Sequence, residues 1–304
     1  MKEAETWCRI AHFRIFDMWF RNLQVYRIGS WQLSAAELDE KLSKRPLQPC
    51  SGSEMQQIGW VPPREETHVY SLAGQMLVAL GMERKLLPAS VISQHVKSRA
   101  EEMEERDGKK PGKKQMKEIR EAVTDELLPR AFALRRRTHA WIDPEGGWLA
   151  VDASSPARAD ELLDAFRKSS VEFSASLLKT AISPKSAMTG WLSGDDLPSS
   201  FTVDMDCELR SREDEKAKVK YAHHSLDSEE IRKHIGQGKE ATRLAMTWND
   251  RISFVLDEDF RIRRLTPLFE QETEEDQFEA DFAIMTGDLA RLLKDLVDAL
   301  GGEG

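Results

Sequence analysis

Two kinds of chemistry can be read from side-chain type and spacing. The first is cationic: Lys109, Lys110, Lys113, Lys114 and Lys117 crowd into one short stretch, and Arg135, Arg136 and Arg137 follow it. Lysine and arginine at that density neutralise the phosphate oxygens of a polyanion whatever its sequence. The second is carboxylate: Asp204 and Asp206 flank a single residue. On a strand this spacing turns both acids to one face, as in nucleases that hold a divalent cation. No histidine or third carboxylate at matching spacing joins them, and two solvent-facing acids are the plainer reading. His223 and His224 point to opposite faces if extended, so they make poor joint ligands. Cys8, Cys50 and Cys207 are far apart with no CxxC or Cys/His pattern that would hold zinc. There is no GxGxxG, no GxxxxGK[ST] and no GxSxG. The residues make no positive case for catalysis, a metal or a cofactor, and the cations are the stronger signal.

Charge distribution sharpens that signal. Residues 84–137 hold fifteen Lys/Arg against nine acids, a balance of +6, in a chain whose formal net charge is −9 and whose pI is near 5.5. A local inversion of sign marks a surface that meets a polyanion while the remaining surface stays acidic. The acid is concentrated elsewhere: residues 268–304 carry eleven acids and only Arg291 and Lys294, a balance of −9. Net charge therefore does not argue against nucleic acid.

The cations need an element to carry them. Pro88 suits the first turn of a helix running to about Arg106, with Val91, Ile92, Val96 and Met103 as an apolar stripe. Gly108, Pro111 and Gly112 break it, and a second helix from about Gln115 to Leu127 would bury Met116, Ile119, Val123 and Leu127. Two helices and a short turn make an αα-hairpin. At about 1.5 Å per residue its first arm spans roughly 28 Å, which carries the lysines well away from the core. The bland alternative is a solvated loop whose lysines only aid solubility. Phe132, set among cations where the second arm ends, is either core or a contact to another subunit.

The remainder reads as α+β. Trp19 to Ile28 is strand-like, Ser34 and Glu37 form a capping box for a helix to about Lys44, and Gly59 to Pro63 should be extended. Gly74 to Leu80 reads as a buried strand. Trp141–Asp143 and Gly147–Asp152 bracket a hairpin turn, and Ser155-Pro156 starts a helix that faces Ala159, Leu162, Leu163 and Phe166 inward. Residues 169–198 are mixed and Ser-rich, with Trp191 as an anchor. Strands at 201–209, 217–222, 241–248, 251–256 and 261–265, with a short helix at 228–235, suggest antiparallel hairpins. A last helix from near Gly287 carries Leu289, Leu292, Leu293, Leu296 and Leu300 and stops at Gly301-Gly302. The expected fold is antiparallel sheets with packed helices and a projecting helical hairpin. Its expected regions are an N-terminal extension at 1–17 outside the fold, an α+β region at 18–83, a basic finger at 84–137, a return hairpin and helix at 138–169, and a C-terminal α+β region at 170–304. Cysteine usage fits a reducing cytoplasm, and no apolar run approaches the roughly 18 residues of a membrane helix.

Several separated stretches together resemble one family, the bacterial recombination-associated protein RdgC. They are Met18-Trp-Phe-Arg-Asn-Leu-Gln-Val-Tyr-Arg-Ile28, Gly59-Trp-Val-Pro-Pro63, Lys85-Leu-Leu-Pro88, Leu127-Leu-Pro-Arg-Ala-Phe132, Trp141-Ile-Asp143 and Asp281-Phe-Ala-Ile-Met-Thr-Gly-Asp-Leu289, in the family's order. The resemblance implies a non-enzymatic protein that binds double-stranded DNA with little sequence preference. It implies a ring-shaped homodimer with duplex through a positively lined hole, nucleoid association, and control of recombination by limiting the strand-exchange recombinase's access to DNA. Lys109, Lys110, Lys113, Lys114, Lys117, Arg135, Arg136 and Arg137 would contact DNA, and Phe132 would close the ring between subunits. The family has no counterpart to residues 1–17, which fits a domain beginning at Met18. Two alternatives stay open: a metal-dependent nuclease using Asp204 and Asp206, and a protein-interaction module whose basic hairpin docks an acidic partner.

Overall fold

The computed structural model describes residues 19–64, 66–213, 216–226, 229–269 and 278–304. The expectation that residues 1–17 form an extension lies outside them, as does Cys8. Twelve strands join in one sheet, nearly all of it antiparallel: β1 Leu23–Ile28, β2 Gln56–Val61, β3 Val69–Leu72, β4 Gln75–Lys85, β5 Ala133–Asp143, β6 Trp148–Asp152, β7 Ala175–Leu177, β8 Phe201–Ser211, β9 Lys218–Tyr221, β10 Lys239–Trp248, β11 Ile252–Asp257 and β12 Ile262–Pro267. Their order across the sheet is β2-β4-β5-β6-β1-β12-β11-β10-β8-β9, with β3 on β4 and β7 on β1. The helices are α1 Ala35–Ser43, α2 Ala89–Asp107, α3 Lys113–Leu127, α4 Pro156–Lys168, α5 Pro184–Ser193, α6 Glu229–Gly236 and α7 Phe278–Ala299.

The first strand is the seam of the sheet. It pairs with β6 from Leu23↔Asp152 to Arg27↔Trp148 but meets β12 only at Leu23↔Ile262, where β7 takes over its free edge. Successive side chains of a strand point to opposite faces. Leu23 and Val25 accordingly enter one hydrophobic cluster, with α5 and α7, while Tyr26 and Ile28 enter the other, with α1 and α4. Each half of the sheet therefore buries a different face, and the one alternating sequence in β1 serves both. The Ser34 capping box forms as expected, Ser34 N–H donating to Glu37 Oε2 at 2.9 Å and Glu37 N–H to Ser34 Oγ at 3.3 Å. The last described helix begins nine residues before the Gly287 start that the sequence suggested. Phe282, Met285 and Leu289 continue one buried stripe at helical spacing past Gly287, which faces solvent. Packing of that stripe outweighs the roughly 1 kcal/mol that a mid-helix glycine costs.

One glycine is required by close approach. The segment after α1 lies flat across β2: Trp60 N–H donates to Arg45 O and Leu47 N–H to Trp60 O, each at 2.9 Å. A Cβ at Gly59 would sit 2.5 Å from the Leu47 backbone. Gly59→Ala is expected to lower stability by about 1–3 kcal/mol, as overpacking does. Urea denaturation checks it; an unchanged midpoint would mean that Arg45–Leu47 is not pinned there.

Candidate nucleic-acid interface

The basic stretch is an excursion between two paired strands. β4 and β5 run antiparallel from Met76↔Ile142 to Lys85↔Ala133, and the chain between them forms α2, α3 and a 3-10 turn at Leu128–Arg130. Leu86 N–H donates to Phe132 O at 2.7 Å, so the hairpin enters and leaves the sheet at one point. Gly108, at φ 72, closes α2 by donating its N–H to Glu104 O at 2.8 Å. Gly112 precedes α3, where its N–H donates to Gln115 Oε1 at 2.9 Å. Glycine and proline chemistry thus makes the tip, as the sequence implied.

The two arms touch along a narrow seam. Val96 and Val123 are buried, whereas Ile92, Met103, Met116, Ile119 and Leu127 are only half-buried and Val91 is exposed. Arg99 pairs with Glu126 across the arms at 2.5 Å. With little apolar surface to bury, the arms present most of their circumference to solvent. Lys109, Lys110, Lys113 and Lys114 are exposed at the far end, and none of them makes an ion pair with another described residue. Lys117 makes only an exposed pair with Glu121, at 3.6 Å.

Arg135, Arg136 and Arg137 sit at the opposite end of the hairpin, on β5. They do not join the tip lysines in one cluster: α2 alone separates the two groups by roughly 28 Å at 1.5 Å per residue. Strand alternation also divides the run. Arg136 turns toward α4 and meets Glu161 at 3.4 Å. Arg135 lies opposite Glu83 of β4 and donates from Nε to Glu83 Oε2 at 2.6 Å. Cys50 N–H donates to Glu83 Oε1 at 2.8 Å, and these two bonds, the backbone one foremost, hold the Glu83 carboxyl below the usual carboxylate range. Arg137 shares the face of Arg135 and has no ion pair among the described residues. Phe132, where the hairpin rejoins the sheet, is 85% exposed beside exposed Leu86 and Leu134. It is not core.

The carboxylate pair is placed differently from a regular strand. Between Cys207↔Leu244 and Val203↔Met246, the three residues Asp204-Met205-Asp206 oppose a single residue of β10, a bulge that interrupts the alternation. Asp204 accepts from Thr247 Oγ1 at 3.0 and 3.1 Å and from Ser253 Oγ at 3.3 Å. Asp206 accepts the His223 N–H at 2.9 Å and pairs with Arg264 at 3.5 Å. Among the described residues, no three His, Cys, Asp or Glu side chains gather to hold a metal ion. Burial, with Asp206 beside it, pushes the Cys207 thiol up to about 12, and burial also raises that of Cys50, so both remain protonated.

A family model described as "Putative exonuclease, RdgC" matches residues 18–303. The chain belongs to the RdgC family. Relatives named "Recombination-associated protein RdgC" include one from Janthinobacterium sp. (strain Marseille), 52% identical over 296 residues, covering 94% of this chain and 99% of the relative. Those from Dechloromonas aromatica (strain RCB) and Herminiimonas arsenicoxydans are 48% and 49% identical, each again covering 94% of this chain, with 98% and 99% of the relatives spanned. RdgC-family kinship thus extends across the hairpin, the DxD bulge and the last helix. No described helix is long and apolar enough to cross a membrane.

Reasoning from the sequence missed a second group of cations in this RdgC-family chain, on the sheet face left uncovered by α5 and α7. Arg210 pairs with Glu208 and Glu258, Arg243 with Glu208, and Arg263 with Asp257. Lys218 and Lys220 lie on the adjoining edge strand with no ion pair among the described residues. The cations are scattered over four strands and interleaved with acids, so no linear run announces them. Acids on β8 and at the end of β11 compensate most of them, which leaves the hairpin tip as the denser uncompensated charge.

Proposed function

We propose that this RdgC-family protein binds double-stranded DNA without regard to sequence, as a ring-shaped homodimer closed around the duplex. On the nucleoid it thereby limits the access of the strand-exchange recombinase to DNA. The observation that carries the reading is the hairpin tip, where four exposed lysines with no ion pair among the described residues ride on a two-helix arm in an otherwise acidic chain. Phosphate contacts from such side chains fix position on a duplex without reading bases. Phe132 supports the ring: a phenylalanine so exposed at the hairpin root buries its apolar area only against another molecule, and an isologous contact between two copies would cover both. The test measures duplex binding and inhibition of strand exchange on the same preparations, with Lys109, Lys110, Lys113 and Lys114 reversed to glutamate. Joint loss of both supports the proposal; retention of both contradicts it.

The family model's description favours a second reading, a nuclease, for which Asp204 and Asp206 are the candidate carboxylates. The Thr247 and Ser253 hydroxyls on Asp204 and the Arg264 guanidinium beside Asp206 compete with a metal for those oxygens. Under the preferred reading, wild type and the Asp204→Asn/Asp206→Asn variant show equal, background-level loss of labelled duplex in Mg²⁺. Cleavage by the wild type that the double variant lacks would establish the nuclease instead.

A further inference from the structure

We propose that Glu83 tunes the affinity of the hairpin root for DNA by holding Arg135 back from phosphate; this rests on the DNA-binding reading above. Glu83 and Arg135 are cross-strand neighbours on β4 and β5, joined at 2.6 Å between Oε2 and Nε. The side-chain exposures are 5% for Glu83 and 66% for Arg135, so the acid is fixed inside and the base faces out. The second carboxylate oxygen takes the Cys50 N–H, from the segment preceding β2, at 2.8 Å. Anchored on both sides, Glu83 has no freedom to follow Arg135 outward.

None of the other proposed contacts is restrained in this way. The Arg136–Glu161 and Lys117–Glu121 pairs are longer, at 3.4 and 3.6 Å, and their acids are more exposed. Arg137 and the four tip lysines make no ion pair among the described residues, and Lys109 only feels the charge of exposed Asp107. A phosphate reaching Arg135 must share the guanidinium with a carboxylate of its own sign a few ångströms away. Like charges around one cation repel, and most strongly where one is sheltered from solvent. Arg135 is therefore a discounted contact beside the fully available Arg137 on the same strand face. The consequence is a duplex affinity held below what the residue count allows, which suits a protein that must leave DNA as well as occupy it.

Glu83→Gln removes the charge and keeps an acceptor for the Cys50 N–H. The full-length variant is expected to bind duplex about three- to tenfold more tightly at ~0.1 M salt, with a log–log salt slope steeper by about one phosphate contact. Combining it with Arg135→Gln is expected to abolish the gain. Unchanged affinity and slope in Glu83→Gln, or a gain that survives in the double variant, would overturn the proposal. If Glu83→Gln does not fold, the single variants decide. Arg135→Gln should then weaken binding less than about twofold, and Arg137→Gln by several-fold, as a full phosphate contact does; equal losses would overturn it. If the wild type binds duplex with a dependence on the tip lysines and Glu83→Gln changes nothing, this proposal alone falls. Absence of duplex binding by the wild type would overturn it together with the reading it rests on.

Discussion

Reversing Lys109, Lys110, Lys113 and Lys114 to glutamate is expected to weaken duplex binding by roughly a thousandfold at ~0.1 M salt. Each phosphate contact contributes about 0.9 to the log–log salt slope, so four contacts contribute about 3.6, or between three and four orders of magnitude on going from 1 M to 0.1 M salt. The slope itself should flatten by about the same amount for each hairpin engaged. Folding should be untouched, because the four side chains are exposed and make no ion pair with another described residue. A variant with a wild-type melting profile and wild-type affinity would remove the tip from the interface and leave the cations as solubilising surface. The change in slope then reports how many phosphate contacts the tip makes.

Phe132→Ala is expected to weaken association of the two copies by about three orders of magnitude while leaving the protomer's melting profile intact. A buried aromatic anchor at an interface costs roughly 2 kcal/mol or more when truncated. A twofold-symmetric contact uses each anchor twice, for about 4 kcal/mol, and each 1.4 kcal/mol is tenfold. At 85% exposure the ring contributes nearly nothing to its own protomer's core. Phe166, wholly buried between Trp60 and Phe173, makes the contrast: its truncation strikes stability. Sedimentation velocity and retention on closed circular duplex check the prediction. If both are unchanged in Phe132→Ala, the ring closes elsewhere or not at all.

Local chemistry was legible in the sequence wherever it alone decides the structure. The Ser34–Glu37 box, the four inward residues of α4, the Gly108–Gly112 tip and both arms of the hairpin follow from caps, breakers and period, with ends shifted by a residue or two. What was not legible depends on neighbours distant in sequence. Helix α5 lay hidden in a Ser-rich stretch, although Ser183-Pro184 repeats the start signal of Ser155-Pro156 that marked α4. The extension of α7 past Gly287 rests on packing against the sheet. Three consecutive arginines read as one patch until β5 gave them alternating faces and Glu83 and Glu161 claimed two of them. Asp204 and Asp206 read as a regular strand pair until β10 imposed the bulge. Partners across a sheet are fixed by register, and register is not a property of either strand alone.

The salt dependence of wild-type binding to two duplexes of unrelated sequence, each linear and closed circular, tests the central claim most directly. The expected result is equal affinity for both sequences, a steep log–log fall with salt, and complexes on closed circles that outlast those on linear duplex after dilution. A strong preference for one sequence, or an affinity indifferent to salt, would contradict it.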